Sequence, residues 1–206
     1  MSAMTERTVE TSGGSTRVWE MGTGDPVGYF AGLHGLPAWL PLLDSLSAHR
    51  QVVVPSLPGY PGGYDYEPLD DVLDWILAAR DVHAASGLGG ADLIGASVGG
   101  ALAAEIAAAW PDAVRRLVLI APYGMYVDEE PSIDVFAQRQ ELLSSIISAK
   151  PDAYDSYVDT PDGEDEVEWD LTRFRAQMAA AKLLWPLGDT RLAKRLARIT
   201  QPALII

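Results

Sequence analysis

The chain has 206 residues, of which 48% are hydrophobic, a size and composition that suit one packed domain or a domain with a sizeable insertion. Its 29 acidic residues outnumber its 15 basic residues, and the formal charge of −14 disfavours binding to nucleic acid or to an anionic membrane, since both present phosphates. Cysteine is absent, which excludes disulfides, thiolate catalysis and cysteine metal sites and is compatible with a reducing cytoplasm.

The N-terminal segment predicts a hairpin rather than a targeting sequence. The stretches "RTVET" and "TRVWEM" favour two strands that are joined through Gly13 and Gly14. Residues 1–17 lack the apolar centre of a signal peptide, and no apolar run reaches the roughly 18 residues that cross a membrane. We therefore expect a cytoplasmic protein with neither a membrane partner nor a nucleic-acid partner.

Short apolar runs and helical segments alternate along the next part of the chain. The apolar runs, which predict strands, cover residues 27–33, 52–55, 92–96 and 116–121. They do not alternate apolar with polar residues, which is typical of parallel strands covered by helices on both faces. Helical periodicity covers residues 70–86 and 99–110. This order predicts an α/β fold with a mainly parallel open sheet flanked by helices.

From residue 123 the strand pattern stops and a helical block is predicted. Helices are expected over residues 132–148, 171–185 and 190–199, and the acidic run "DTPDGEDEVEWD" before the second is expected to be a solvated loop. A strand-like run resumes at residue 203. The predicted organisation is a core over residues 1–122, a helical cap over 123–199, and an incomplete return to the core over 200–206.

The apolar faces of the predicted cap helices carry large side chains. We expect these side chains either to line a substrate pocket or to pack between the cap and the sheet. They are Phe136, Leu143, Phe174, Met178 and Trp185.

Ser97 lies in a G-x-S-x-G pattern between a predicted strand and a predicted helix. The flanking Gly95 and Gly99 are needed because a serine in a strained turn brings neighbouring backbone too close for a side chain. Such a turn exposes the hydroxyl at the positive end of a helix, beside the N–H of Val98. Ser97 is therefore either a nucleophile or an ordinary turn serine.

The loop "GLHGLP" follows the predicted strand over residues 27–33 and lies at its carboxyl end. Ligands of open α/β sheets bind outside these strand ends. In this loop, which holds His34 and Gly35, the N–H of Leu36 is expected to serve as a second oxyanion donor beside that of Val98. We expect His34 to shape the loop and not to act as a base.

Several segments together resemble the α/β-hydrolase fold enzymes, in the serine-nucleophile branch with a helical cap. They are His34-Gly35 after a strand, "PSLPGYPGG", "LIGASVGGALAAEIAAAWPDAVRRLVLIAP", the helical block and "RLARITQPALII". The resemblance implies that Ser97 is the nucleophile and that Leu36 and Val98 supply the oxyanion hole. Ser56 stands where the family usually has an aspartate. The family's acid and histidine follow the serine, at positions that would come after Ile206, so we expect a C-terminally truncated chain without the last strands.

The remaining candidates for a triad are weaker. His49 is expected at a helix end, His83 on the surface of a helix, and Asp128 in a solvated loop, although it offers an alternative acid. Metal-ligand spacing, a dinucleotide-binding glycine motif and a P-loop are absent, so we expect neither a metal nor a cofactor.

The sequence thus predicts a serine hydrolase whose partner is a small-molecule substrate. The substrate is expected to be a small, partly apolar ester or related acyl compound, with amides and carbon–carbon bonds next to a ketone left open. The alternative is a catalytically incomplete fragment, or a non-catalytic hydrolase-like binding protein, that lacks the triad acid and histidine.

Overall fold

A computed structural model describes residues 3–36, 38–160, 163–185 and 188–206. The described residues form one sheet with the strand order β1-β2-β4-β3-β5-β6-β7. β1 and β2 form the predicted hairpin, β2 runs antiparallel to β4, and all other neighbours are parallel. The strands are β1 (Thr5–Glu10), β2 (Ser15–Met21), β3 (Pro26–Phe30), β4 (Gln51–Pro55), β5 (Ala91–Ala96), β6 (Val114–Ile120) and β7 (Ala203–Ile205).

Helices flank the sheet and confirm the predicted fold class. They are α1 (Pro41–Ser47), α2 (Val72–Ala85), α3 (Ser97–Ala109), α4 (Gln140–Ile147), α5 (Pro151–Val158) and α6 (Glu166–Leu184). α2 begins at a capping box, in which the Asp71 carboxylate accepts from the N–H of Asp74 and the Asp74 carboxylate accepts from the N–H of Asp71. α3 is buried from Val98 to Ala108, because its glycines and alanines allow neighbours to approach from every side.

The helical block between β6 and β7 differs in detail from the prediction. The expected helix over residues 132–148 is interrupted: Asp134 caps a short 3₁₀ turn at Val135–Ala137, Arg139 is extended, and α4 begins only at Gln140. The carboxylate of Asp134 accepts the first N–H groups of this turn, which starts a separate element. α5 was not predicted as a helix of its own; Pro151 stands in its first turn.

The prediction of a loop is wrong for the last five residues of the acidic run, which belong to α6. Asp165 accepts from the N–H groups of Val167 and Glu168, so α6 begins at Glu166, inside the run, five residues before the predicted start. The expected helix over residues 190–199 is instead two 3₁₀ turns, Leu192–Lys194 and Leu196–Arg198. Between these turns Arg195 binds a partner on α3, and this tertiary contact outweighs the helical periodicity of the segment.

That partner is Glu105, a fully buried carboxylate on α3. It accepts from Arg195 Nε at 2.8 Å, from Arg195 Nη2 at 2.7 Å and from Thr190 Oγ1 at 2.6 Å. The bidentate ion pair ties the segment after α6 to the core helix. Among the described helices, none combines the length and the apolar character that crossing a membrane would require.

Candidate active site

Ser97 occupies a strained turn between β5 and α3. Its φ angle is +52°, a left-handed conformation that a residue with a Cβ atom seldom adopts. β5 supplies a fixed strand up to Ala96, and the carbonyl of Ser97 accepts the N–H of Tyr123 at 3.2 Å. The turn is therefore held from both sides and leaves Ser97 half-buried at the beginning of α3.

The two glycines of the motif are required by close backbone contacts. A Cβ atom on Gly95 would lie 2.6 Å from the carbonyl oxygen of Gly99 and 2.7 Å from Cα of Gly100. A Cβ atom on Gly99 would lie 2.5 Å from the carbonyl oxygen of Phe30. Since these neighbours are backbone atoms, a side chain at either position forces β5, α3 or β3 to move.

The loop after β3 lies against the turn of Ser97. A Cβ atom on Gly32 would lie 3.4 Å from the Cβ atom of Ser97. The N–H of Gly35 donates to the carbonyl of Gly32 at 3.0 Å, and Gly35 has a φ angle of +72°. Within the described parts of the chain, no acceptor takes the N–H of Leu36 or of Val98. Both residues are buried, with 4% of Leu36 and 0% of Val98 exposed.

Arg17 on β2 contacts both this loop and the glycine-rich loop after β4. Its Nη2 donates to the carbonyl of Pro61 at 2.8 Å and lies 3.4 Å from the carbonyl of Leu36. Its guanidinium carbon lies 3.8 Å from the ring centroid of Trp19. Ser56 Oγ also donates to the carbonyl of Pro61, at 2.6 Å. Arg17 thus joins the loop of Leu36 to the glycine-rich loop after β4, and the hydroxyl of Ser56 forms a bond within the latter loop.

Ser97 lines an open cavity of about 340 Å³ between the sheet and the helical block. Most of the lining is apolar or aromatic, a character suited to a small, partly apolar ligand. The cavity is lined by Tyr29, Gly32, Leu33, His34, Gly35, Leu40, Ala96, Ser97, Ile147, Tyr154 and Tyr157.

His34 is buried in the wall of this cavity. Its Nδ1 lies 3.1 Å from the hydroxyl of Tyr154 on α5. Burial, with a smaller contribution from the nearby cation of Arg173, lowers the pKa of His34 to about 4. The imidazole is therefore neutral at physiological pH. Burial raises the pKa of Tyr154 to about 12, so its phenol keeps its proton.

The described residues do not assemble a complete catalytic triad. No histidine or carboxylate among them forms a hydrogen bond with the hydroxyl of Ser97. His49 is exposed after the end of α1, as predicted, and Asp128 is exposed in a turn. No cluster of three or more potential metal-ligating side chains occurs in the same part of the chain.

The prediction that His83 lies on the surface is wrong. Its side chain is fully buried on the inner face of α2, where its ring meets the ring of Phe30 edge-on at 6.3 Å between centroids. Apolar residues recur on this helix face, and His83 lies in register with them. Burial, followed by the neighbouring Arg80, lowers the pKa of His83 to about 4.

The large apolar cap residues do not line the cavity of Ser97. Phe136 and Trp185 line a separate small pocket, and Leu143 and Phe174 line another cavity. Met178 is exposed. Sequence reasoning instead missed Tyr154 and Tyr157 on α5. Their spacing of three places them on one helix face, and that signal was present in the sequence.

The chain belongs to the alpha/beta hydrolase family, whose family model matches residues 32–206. It is 31% identical over 137 residues to a 2-hydroxy-6-oxo-2,4-heptadienoate hydrolase of Pseudomonas putida (strain F1), covering 62% of this chain and 48% of that protein. It is 29% identical over 151 residues to a 2-hydroxymuconate semialdehyde hydrolase of Pseudomonas sp. (strain CF600), covering 66% and 53%. The chain thus spans about half the length of these curated relatives.

Solved structures share the fold. A 2-hydroxy-6-oxo-6-phenylhexa-2,4-dienoate hydrolase from Rhodococcus sp. strain RHA1 superposes with a TM-score of 0.68 at 17% identity, covering 100% of this chain and 81% of that chain. The enol-lactonase from Burkholderia xenovorans LB400 gives a TM-score of 0.71 at 15% identity, covering 97% and 80%. At these identities the similarity shows the fold alone.

Proposed function

We propose that this protein is a serine hydrolase that cleaves a small, partly apolar ester or related acyl compound. The observation that carries the proposal is the left-handed turn of Ser97, which opens onto a cavity with mainly apolar walls. A strained serine persists only where the surrounding structure enforces it, and such strain concentrates at active sites. An ordinary turn serine would not need the backbone contacts that surround Gly95 and Gly99.

In the proposed reaction, Ser97 Oγ adds to the carbonyl carbon while its proton passes to a base. The N–H groups of Leu36 and Val98 bind the oxygen that becomes negative, and one such donor contributes about 3 kcal/mol to a transition state. The bond to the leaving group then breaks, and the base returns the proton to that group. Water repeats the addition at the acyl carbon and releases the acid and Ser97.

The general base is the part of the mechanism that the described residues do not supply. His34 has its Nδ1 beside Tyr154, and its low pKa makes it a weak proton acceptor. The chain spans about half the length of the curated relatives it matches. The function proposed here is therefore that of the whole protein.

Carbon–carbon bond hydrolysis is the second candidate reaction. It is favoured by the two curated relatives, which are named as hydrolases of 2-hydroxy-6-oxo-2,4-heptadienoate and of 2-hydroxymuconate semialdehyde. The same serine and amide donors suit attack on a ketone carbonyl beside the bond that breaks.

The decisive experiment replaces the nucleophile. In the full-length protein we expect Ser97→Ala to lower kcat for p-nitrophenyl butyrate and for 2-hydroxy-6-oxo-2,4-heptadienoate by about 10³-fold or more. Ser45→Ala, at an exposed position of α1, serves as the control and should retain the rate. Full activity of Ser97→Ala would contradict the proposal. Ligand binding without turnover in the unsubstituted protein would favour the non-catalytic alternative.

A further inference from the structure

Tyr154 stands between two cavities. It lines the cavity of Ser97 and also a second cavity of about 510 Å³, which Arg173 and Asp170 of α6 line as well. Its hydroxyl lies 3.1 Å from His34 Nδ1. Tyr154 thus links α5, in the helical block, to the loop after β3, which belongs to the core.

Two buried nitrogen atoms near Tyr154 lack a partner among the described residues. They are Nε2 of His34 and Nε of Arg173. The Arg173 guanidinium contributes to the lowered pKa of His34, so its positive charge acts on the imidazole. Arg173 Nε can only donate, whereas His34 Nε2 can accept when it carries no hydrogen.

The unpartnered Nε2 favours one tautomer of His34. An N–H on this buried atom would have no acceptor among the described residues, whereas an N–H on Nδ1 can donate to the oxygen of Tyr154. In that tautomer the phenol's own hydrogen is free for another acceptor, and Tyr154 lines the cavity of Ser97.

We propose that Tyr154 donates this hydrogen bond to a second oxygen of the substrate, distinct from the oxygen of the carbonyl that Ser97 attacks. The proposal rests on the proposed function. The amides of Leu36 and Val98 belong to the core, whereas Tyr154 belongs to α5, so the two sets of donors bind different parts of one ligand. The implied substrate class is a small acyl compound with a further carbonyl or enol oxygen facing the helical block.

The contact with His34 and the nearby charge of Arg173 strengthen Tyr154 as a donor. A hydrogen bond accepted by the phenol oxygen polarises its O–H, and a nearby cation adds to the effect. His34 and Arg173 are positioning residues in this arrangement, and Tyr154 is the group that touches the substrate.

Two esters that differ by one oxygen test the proposal: methyl 4-oxopentanoate and methyl pentanoate. In the full-length protein we expect kcat/KM to be about tenfold higher for the oxo ester, because the free energy of one neutral hydrogen bond corresponds to a factor of that size. Tyr154→Phe should bring the ratio close to one, largely by slowing hydrolysis of the oxo ester. Tyr126→Phe is the matched control, outside the residues that line either cavity, and should keep the preference. Arg173→Gln should reduce the preference only in part.

Binding provides a readout that does not depend on turnover. In the Ser97→Ala protein, calorimetry should give about tenfold tighter binding of the oxo ester, and Tyr154→Phe should remove that difference. Three results would overturn the assignment: equal affinity for both esters, no measurable affinity for either, or an equal effect of Tyr154→Phe on the affinity for both. Retained hydrolysis by Ser97→Ala would contradict the proposed nucleophile while leaving the affinity comparison intact.

Discussion

Gly95 is a residue of the candidate site that has no room for a side chain. We expect Gly95→Ala to lower the free energy of unfolding by about 2 kcal/mol, because its methyl group overlaps the backbone of α3. Urea unfolding measures the change. Gly89→Ala is a matched control, since a Cβ atom at Gly89 has nothing within 4 Å. Equal stability of the two variants would contradict the steric argument.

Arg17 is a residue whose effect on catalysis is expected to be indirect. Arg17→Gln removes the cation that holds the carbonyls of Pro61 and Leu36, so the N–H of Leu36 loses its fixed position. We expect kcat to fall about tenfold or more with little change in KM, as for an interaction that matters mainly in the transition state. Steady-state kinetics provide the measurement. Arg116→Gln, on the exposed side of β6, should behave like the unsubstituted protein, and unchanged kcat in Arg17→Gln would contradict this role.

Glu105 determines how the segment after α6 is joined to α3. Glu105→Ala removes the buried acceptor of Arg195 and Thr190, and we expect a loss of about 3 kcal/mol in the free energy of unfolding. Denaturant unfolding measures this loss. The exposed Glu129→Ala provides the comparison, and a similar value for both variants would show that the ion pair does not stabilise the protein.

The elements of the core were predictable because local signals agree with the tertiary structure. The apolar run of β5, the G-x-S-x-G turn and the alanine-rich α3 all indicate the same arrangement, and the strand and helix are found there. The helical block was less predictable. Asp134 and Asp165 cap elements whose first residues the apolar periodicity does not indicate. The conformation around Arg195 depends on a partner that is distant in the sequence.

The candidate site was likewise predictable where the core forms it and not where the helical block does. Ser97 and the loop of Leu36 follow from motifs at the carboxyl ends of β5 and β3. Tyr154, in contrast, is brought to His34 by the packing of α5, across 120 positions of sequence. A contact between residues so far apart leaves no pattern in a single sequence. The inner orientation of His83 was missed for a related reason, since a histidine is compatible with either face of a helix.

The whole molecule should lose stability on acidification. His34 and His83 both have a pKa of about 4 in the folded protein, below the 6.5 expected when unfolded. Between these values the unfolded chain binds more protons, so stability falls as the pH falls from about 6.5 to about 4. The Arg115 and Arg50 guanidiniums lower the pKa of Asp92, which adds a further loss at the acidic end.

We expect His83 to contribute up to about 3 kcal/mol of this loss. Unfolding free energies measured between about pH 7 and pH 4 test the value, and His83→Leu should reduce the slope because its side chain does not titrate. His49→Gln, at an exposed position, is the matched histidine substitution for comparison. An identical slope in the His83→Leu protein would contradict the expectation.

The burial of α3 has a consequence for how a ligand reaches Ser97. Ser97 begins α3, which is buried from Val98 to Ala108, so the amide hydrogens that are bonded within this helix should exchange with solvent only when the whole protein unfolds. The opposite wall of the cavity, in α4 and α5, keeps several side chains in water and should exchange sooner. We therefore expect the entry of a ligand to depend on movement of α4 and α5, while the turn of Ser97 stays fixed.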